Sequence, residues 1–137
     1  MKKVLSCFLV ALVLVSSLSV TASAATTPDV ESRSAWNYLP LSLSAGSTTD
    51  RTSAMYALRG YVNCTNSTKS ARSCYAGVEV YDSGAWLLYG STLIPNDGML
   101  HRSSTVESTD GNHLTTRGVI GSSYADCIAT GEYGFYS

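Results

Sequence analysis

The sequence predicts an all-β protein, a small antiparallel β-sandwich of six to eight strands. Three observations carry that expectation. Nine tyrosines sit among many Ser, Thr and Gly, the residues of strands and tight turns. Apolar and polar residues alternate with period two in segment after segment, and no segment sustains a helical period. Turn-forming clusters recur at Ala45–Ser53, Asp82–Gly84, Pro95–Gly98 and Thr109–Gly111. Without connections long enough for crossovers, the strands must pair antiparallel.

The chain opens on an export signal. Lys2 and Lys3 precede a run of apolar and small residues from Val4 to Val20, followed by Ala22-Ser23-Ala24. That small-x-small pattern predicts a signal peptide over 1–24, cut after Ala24, with Ala22 and Ala25 as neighbouring alternatives. Ser16, Ser17 and Ser19 interrupt the apolar run, whereas a spanning helix needs about 20 apolar residues. Val4-Leu5-Ser6-Cys7 resembles a lipoprotein box, but its cysteine precedes the apolar core instead of following it. The expectation is a secreted, extracellular bacterial protein with no stable membrane anchor.

Taking Lys2 and Lys3 from the nine Lys/Arg leaves seven against ten Asp/Glu, a net charge of −3. No basic patch exists to hold phosphates, which argues against nucleic acid. Nor is there a cationic face for anionic membranes. Residues 25–34 read as a flexible N-terminal segment and 35–137 as the β-sandwich domain.

The first strand expected is Trp36–Ser44, with Leu39, Leu41 and Leu43 on one face. Next come Met55–Thr65, Ser73–Tyr81, Ala85–Ile94, Met99–Ser108, Asn112–Gly121 and Ser123–Thr130, with Tyr133–Tyr136 as a short last strand. Asp82-Ser83-Gly84 and Thr109-Asp110-Gly111 each fit a three-residue hairpin loop closed by glycine. The first loop sets Val80 against Trp86 and Val78 against Leu88. The second sets Ser108 against Asn112 and Val106 against Leu114. Pro95-Asn96-Asp97-Gly98 supplies a further reversal.

Removing Cys7 with the signal leaves Cys64, Cys74 and Cys127, which implies one bridge and one leftover thiol. If Cys64 faces Cys74 on a neighbouring strand, Val62 meets Ala76 and Gly60 meets Val78, all on one apolar face. This pairing predicts a Cys64–Cys74 disulfide closing the polar loop Thr65–Ser73, worth about 2–3 kcal/mol. The rival is a bridge between sheets that joins Cys127 to Cys64 or Cys74. Cys127 alternates with Ala125 and Ala129. As a free thiol it is inert packing if buried, and points to a disulfide-linked dimer if exposed. Asn63-Cys64-Thr65 and Asn66-Ser67-Thr68 are glycan acceptor patterns only if the source is eukaryotic.

In the same register Tyr61, Gly77 and Tyr89 form one cross-strand row, with Tyr75 and Tyr81 close by. Arg59, Asn63 and Glu79 lie among them. Such a face can stack on sugar rings or hold a peptide, since tyrosine gives large contact area at low entropy cost. Alternatively, the segment carrying Trp36 and Tyr38 covers it. The candidate binding surface is Tyr61, Tyr75, Tyr81 and Tyr89.

Catalytic patterns are thin. Glu107 is expected to face His113, and His101 to face Val119, which supplies too few convergent ligands for a metal. No nucleophile elbow, zinc helix or phosphate loop appears. The expectation is binding to cell-wall glycan or a protein surface, with no cofactor and no catalysis.

The tail Tyr133-Gly134-Phe135-Tyr136, with the small, polar, β-rich character of the chain, resembles the lactococcin-type bacteriocins. The likeness covers at most the last forty residues, and the cysteines are not part of that pattern. It implies the alternative of a secreted antimicrobial β-sandwich that interferes with the wall precursors of competing cells.

Overall fold

The period-two alternation becomes ten strands in a computed structural model that describes residues 35–137. The expected signal peptide with Cys7, and the expected flexible segment 25–34, lie outside the described residues. The strands are β1 (Trp36–Leu43), β2 (Thr49–Arg51), β3 (Met55–Ala57), β4 (Arg59–Asn66), β5 (Cys74–Asp82), β6 (Ala85–Ile94), β7 (Leu100–Arg102), β8 (Val106–Glu107), β9 (Leu114–Gly121) and β10 (Ala129–Tyr136). They form two five-stranded antiparallel sheets. The first runs β1-β10-β4-β7, with β8 also on β4. The second runs β2-β9-β5-β6, with β3 also on β9. The all-β sandwich is as expected.

The strand count exceeds six to eight because two expected strands are each divided and the expected loop Ala45–Ser53 contains a strand, β2. Met55–Thr65 changes sheets at Leu58, giving β3 and β4. Met99–Ser108 is broken at Ser103, whose backbone N–H donates to Val62 O while its Oγ accepts from Val62 N–H. In the opposite sense, Ser123–Ile128 forms turns, and the two expected terminal strands give one, β10.

Inward-facing side chains from both sheets fill the space between them. Leu41, Leu43, Val62, Val78, Ile94, Ile120 and Tyr133 are each at most 3% exposed. Burying each aliphatic one contributes roughly 1.5–3 kcal/mol. Tyr133 reaches right across the core. Its hydroxyl hydrogen-bonds with Thr116 Oγ1 on the opposite sheet, and Gly60 and Gly118 leave room for its ring.

Only β5 and β6 are neighbours both along the chain and within a sheet. Their turn is tighter than expected. Asp82 pairs with Ala85, leaving Ser83 and Gly84 as a two-residue loop, with φ of 52° and 89°. Positive φ at both positions gives the primed turn whose twist matches the flanking strands. The one-residue difference turns Trp86 and Leu88 to the outer face and Leu87 and Tyr89 inward.

Thr109-Asp110-Gly111 is not a hairpin, because β8 belongs to the first sheet and β9 to the second. Asp110 instead accepts hydrogen bonds from Asn112 and Ser108. Those bonds, Asn112 foremost, hold its carboxyl down at about 2.

The Cys64–Cys74 pairing is corrected in the same way. β4 and β5 lie in different sheets, so the two cysteines meet across the core, not along a sheet. Cys64, Cys74 and Cys127 are all free thiols, and the expected disulfide is not formed. A hydrogen bond with Cys74, and then burial, push the Cys64 thiol up.

Candidate functional site

The outer face of the first sheet gathers the richest set of exposed and half-buried polar and aromatic groups. Tyr61 and Asn63 on β4 pair with Gly134 and Glu132 on β10, and Asn63 also pairs with Arg102 on β7. From β1, Trp36 and Tyr38 stand opposite Tyr136 and Gly134. Gly134 matters here because a Cβ would fall 2.9 Å from the Tyr61 ring and 3.0 Å from that of Tyr38. The bare backbone lets both rings lie down over the sheet.

Trp36 packs against Tyr61 with ring centroids 4.9 Å apart, and the Arg102 guanidinium lies 4.1 Å over the Tyr61 ring. The Tyr61 and Tyr38 hydroxyls are 3.3 Å apart. Burial, and then that hydrogen bond, raise the Tyr61 phenol to about 12. Tyr61 is therefore a neutral, covered ring. Exposed aromatic surface at this end comes from Tyr38, 45% exposed.

Beside the rings runs a polar relay. Arg102 Nε donates to Asn63 Oδ1 at 3.0 Å, and Asn63 Nδ2 donates to Glu132 Oε1 at 3.1 Å. The relay holds an acid and a base in fixed positions on either side of an amide. It opens onto a shallow trough of about 250 Å³ lined by Asn63, Thr65, Leu100, Thr130, Gly131 and Glu132. Thr65 and Thr130 face each other across β4 and β10, and Leu100 is two-thirds exposed. A second hollow, lined by Thr65, Thr68, Gly98, Ile128 and Thr130, continues from it.

The four expected surface tyrosines do not share one face. Tyr61 lies on the first sheet, covered as Trp36 and Tyr38 were expected to cover it. Tyr75 lies on the outer face of the second sheet, over Gly121. Tyr81 lies on that same outer face against Trp86, with ring centroids 5.3 Å apart, while Tyr89 turns inward beside a cleft of about 380 Å³ bounded by Val80, Val106 and Leu114. The signal for the outer-face site lay in Trp36, Asn63, Arg102 and Glu132. Their convergence depends on β10 lying between β1 and β4, an order that local alternation does not encode.

Beside Tyr75 and Tyr81, the second sheet's outer face carries an ion cluster. Glu79 accepts from Arg51 and Arg117, and Arg117 stacks 4.0 Å over Trp86. Burial opposes ionisation of Glu79, but the two arginines overcome it and hold its carboxyl below the usual range.

The histidines do not meet. His101 bonds Asp97 at 2.9 Å, Glu107 pairs with Arg59 at 2.8 Å, and His113 is exposed on the crossover. Among the described residues no three His, Cys, Asp or Glu side chains converge as metal ligands. Cys127 is fully buried, its thiol directed at Arg72 O and Ser122 Oγ. The disulfide-linked dimer through Cys127 is therefore withdrawn. Asn66 is also fully buried and donates to Arg72 O and Ile94 O. Neither it nor Asn63, 8% exposed, can present a glycan from the folded chain.

No family model matches the chain, and no curated protein is significantly similar to it. Solved structures align with about three quarters of the chain at low similarity. PirA aligns over 73% of this chain and 93% of its own, with a TM-score of 0.45 and 7% identity. The Yersinia pseudotuberculosis-derived mitogen aligns over 74% and 86%, with a TM-score of 0.40 and 7% identity. A CBM4 structure aligns over 72% and 90%, with a TM-score of 0.38 and 13% identity. Values this low say nothing of ligand or partner.

Proposed function

We propose that the protein is a small secreted binding module that holds an extracellular glycan on the outer face of its first sheet, without catalysis. Export rests on the Lys2-Lys3 start, the apolar run and Ala22-Ser23-Ala24. The observation that carries the binding site is the Arg102–Asn63–Glu132 relay beside the trough floored by Thr65, Thr130 and Leu100. A sugar ring offers one apolar face and paired hydroxyls. The relay offers fixed donors and acceptors at neighbouring positions, while Leu100 and Tyr38 offer apolar contact. A few placed polar groups among apolar surface are what fix the orientation of a ligand.

The test is co-sedimentation with purified cell-wall glycan, using Glu132→Ala, Leu100→Ser and Tyr38→Ala. These side chains project from the surface, so the thermal midpoint should hold while bound protein falls at least several-fold. Unchanged binding in all three would place the ligand elsewhere, and no binding by the parent protein would remove the glycan reading.

A further inference from the structure

We propose that the Ala85–Tyr89 half of β6 pairs antiparallel with the same half of a second copy, joining two sandwiches through their second sheets. Among the described residues β6 is the edge of that sheet and is hydrogen-bonded to β5 alone. Exposed edges are ordinarily blunted by charge or proline. Ala85–Ile94 contains neither. Its one interruption is the register shift opposite Gly77, where Gly90 takes φ 58°. That bulge leaves Ala85–Tyr89 as a regular stretch, and five residues is an ordinary strand length.

The two sides of the sandwich are finished differently. On the β1 side, inward-facing Leu41 and Leu43 are 3% and 1% exposed. On the β6 side, inward-facing Leu87 and Tyr89 are 42% and 46% exposed, and the cleft shared by Tyr89, Val80, Val106 and Leu114 opens beside them. Core-type residues therefore remain uncovered along an unpaired hydrogen-bonding edge. A further strand there would cover both.

A second copy meets the chemistry of this edge. With the two-fold axis through Leu87, Leu87 opposes Leu87, Trp86 opposes Leu88, and Ala85 opposes Tyr89. Every pair is neutral, so a chain of net negative charge meets itself without like charges across the seam. Cross-strand apolar and aromatic pairs are the units that stabilise a sheet, and an isologous contact of this kind closes as a dimer. The seam lies on the far side of the sandwich from the β1 edge, and it does not depend on the glycan face.

Sedimentation equilibrium on protein purified after expression of the full chain should give the dimer mass, with dissociation on dilution. Leu87→Lys, which sets two cations together at the axis, should yield monomer with an unchanged far-ultraviolet circular dichroism spectrum. Leu87→Glu should do the same, and mixing the two variants should restore a dimer. Hydrogen exchange of the parent protein should show the amides of Trp86 and Leu88, which alternate with those bonded to β5 and point to the free edge, protected at high concentration and released on dilution, a readout that needs no variant. A parent protein that stays monomeric overturns the proposal. So does a dimer indifferent to Leu87→Lys and Leu87→Glu, an edge protected only when a foreign peptide is added, or concentration-independent exchange at Trp86 and Leu88.

Discussion

Gly118 lies directly against Tyr133, so that a methyl group in its place would overlap the Cβ and Cγ of the tyrosine. The two residues stand on facing sheets and set the local distance between them. Gly118→Ala should therefore lower stability by roughly 1–3 kcal/mol, the cost of overpacking a filled core. Tyr133→Phe keeps the ring but removes the bond between its hydroxyl and Thr116 Oγ1, which still donates to Met55 O, and should cost about 1 kcal/mol. Urea unfolding monitored by tryptophan fluorescence measures both. A Gly118→Ala protein as stable as the parent would mean that the sheets separate freely.

Glu79 makes stability depend on acid. Its carboxyl is held below its usual pKa by Arg51 and Arg117. It binds its proton more weakly folded than unfolded, so its contribution is present above the unfolded pKa, near 4.3. That contribution is lost as pH falls through the folded value. Glu79→Gln should cost about 2 kcal/mol at neutral pH, from charged hydrogen bonds removed. The gap between parent and variant should close as the solution is acidified below that unfolded value. A gap that stays constant with pH would show that the arginines do not act through the Glu79 charge.

The three thiols should be silent until the fold opens. Cys64, Cys74 and Cys127 are at most 1% exposed, so in the chain beginning at Ala25, without Cys7, Ellman's reagent should read none in the native reduced protein and three after denaturation. Mild oxidation should join Cys64 to Cys74, which meet across the core. Peptide mapping that finds Cys127 in the bridge would contradict the arrangement.

Ser83 holds a left-handed conformation that an ordinary side chain resists. Asparagine visits that region readily, so Ser83→Asn should stabilise the β5–β6 turn by up to about 1 kcal/mol. Thermal unfolding reads the gain. A lower midpoint would show that the Ser83 hydroxyl, which bonds Asp82 Oδ1 at 3.0 Å, outweighs the backbone term.

Alternation in the sequence reported faces well and neighbours poorly. Val62, Cys64, Cys74, Ala76, Val78 and Val80 were all expected on one apolar face, and all six point into the core. The expected pairing of Val62 with Ala76 failed because β4 and β5 supply opposite walls of that core. A period of two says which way a side chain points, but not whether the next strand lies beside it or across from it. Ala85–Ile94 was legible to the residue because turn residues bound it on both sides. Trp86 and Leu88 were set on the wrong face by a single loop residue, since a slip of one reverses a whole strand. The proposed binding face was legible in part, through Tyr61 and Asn63 and the covering segment of Trp36 and Tyr38. Arg102 and Glu132 reach it from strands far apart in sequence, joined only by tertiary order.

The alternation of the chain between its two sheets also sets the order in which it can fold. Apart from the β5–β6 hairpin, every ladder closes a long loop, and β1 pairs with β10 at the opposite end of the chain. Such high contact order slows folding toward milliseconds to seconds, because loop-closure entropy is lost before the contacts form. The hairpin is the one element able to form early. The first sheet is incomplete until Ala129–Tyr136 slots between β1 and β4, so a chain lacking its last strand leaves β1 and β4 with no strand to join them.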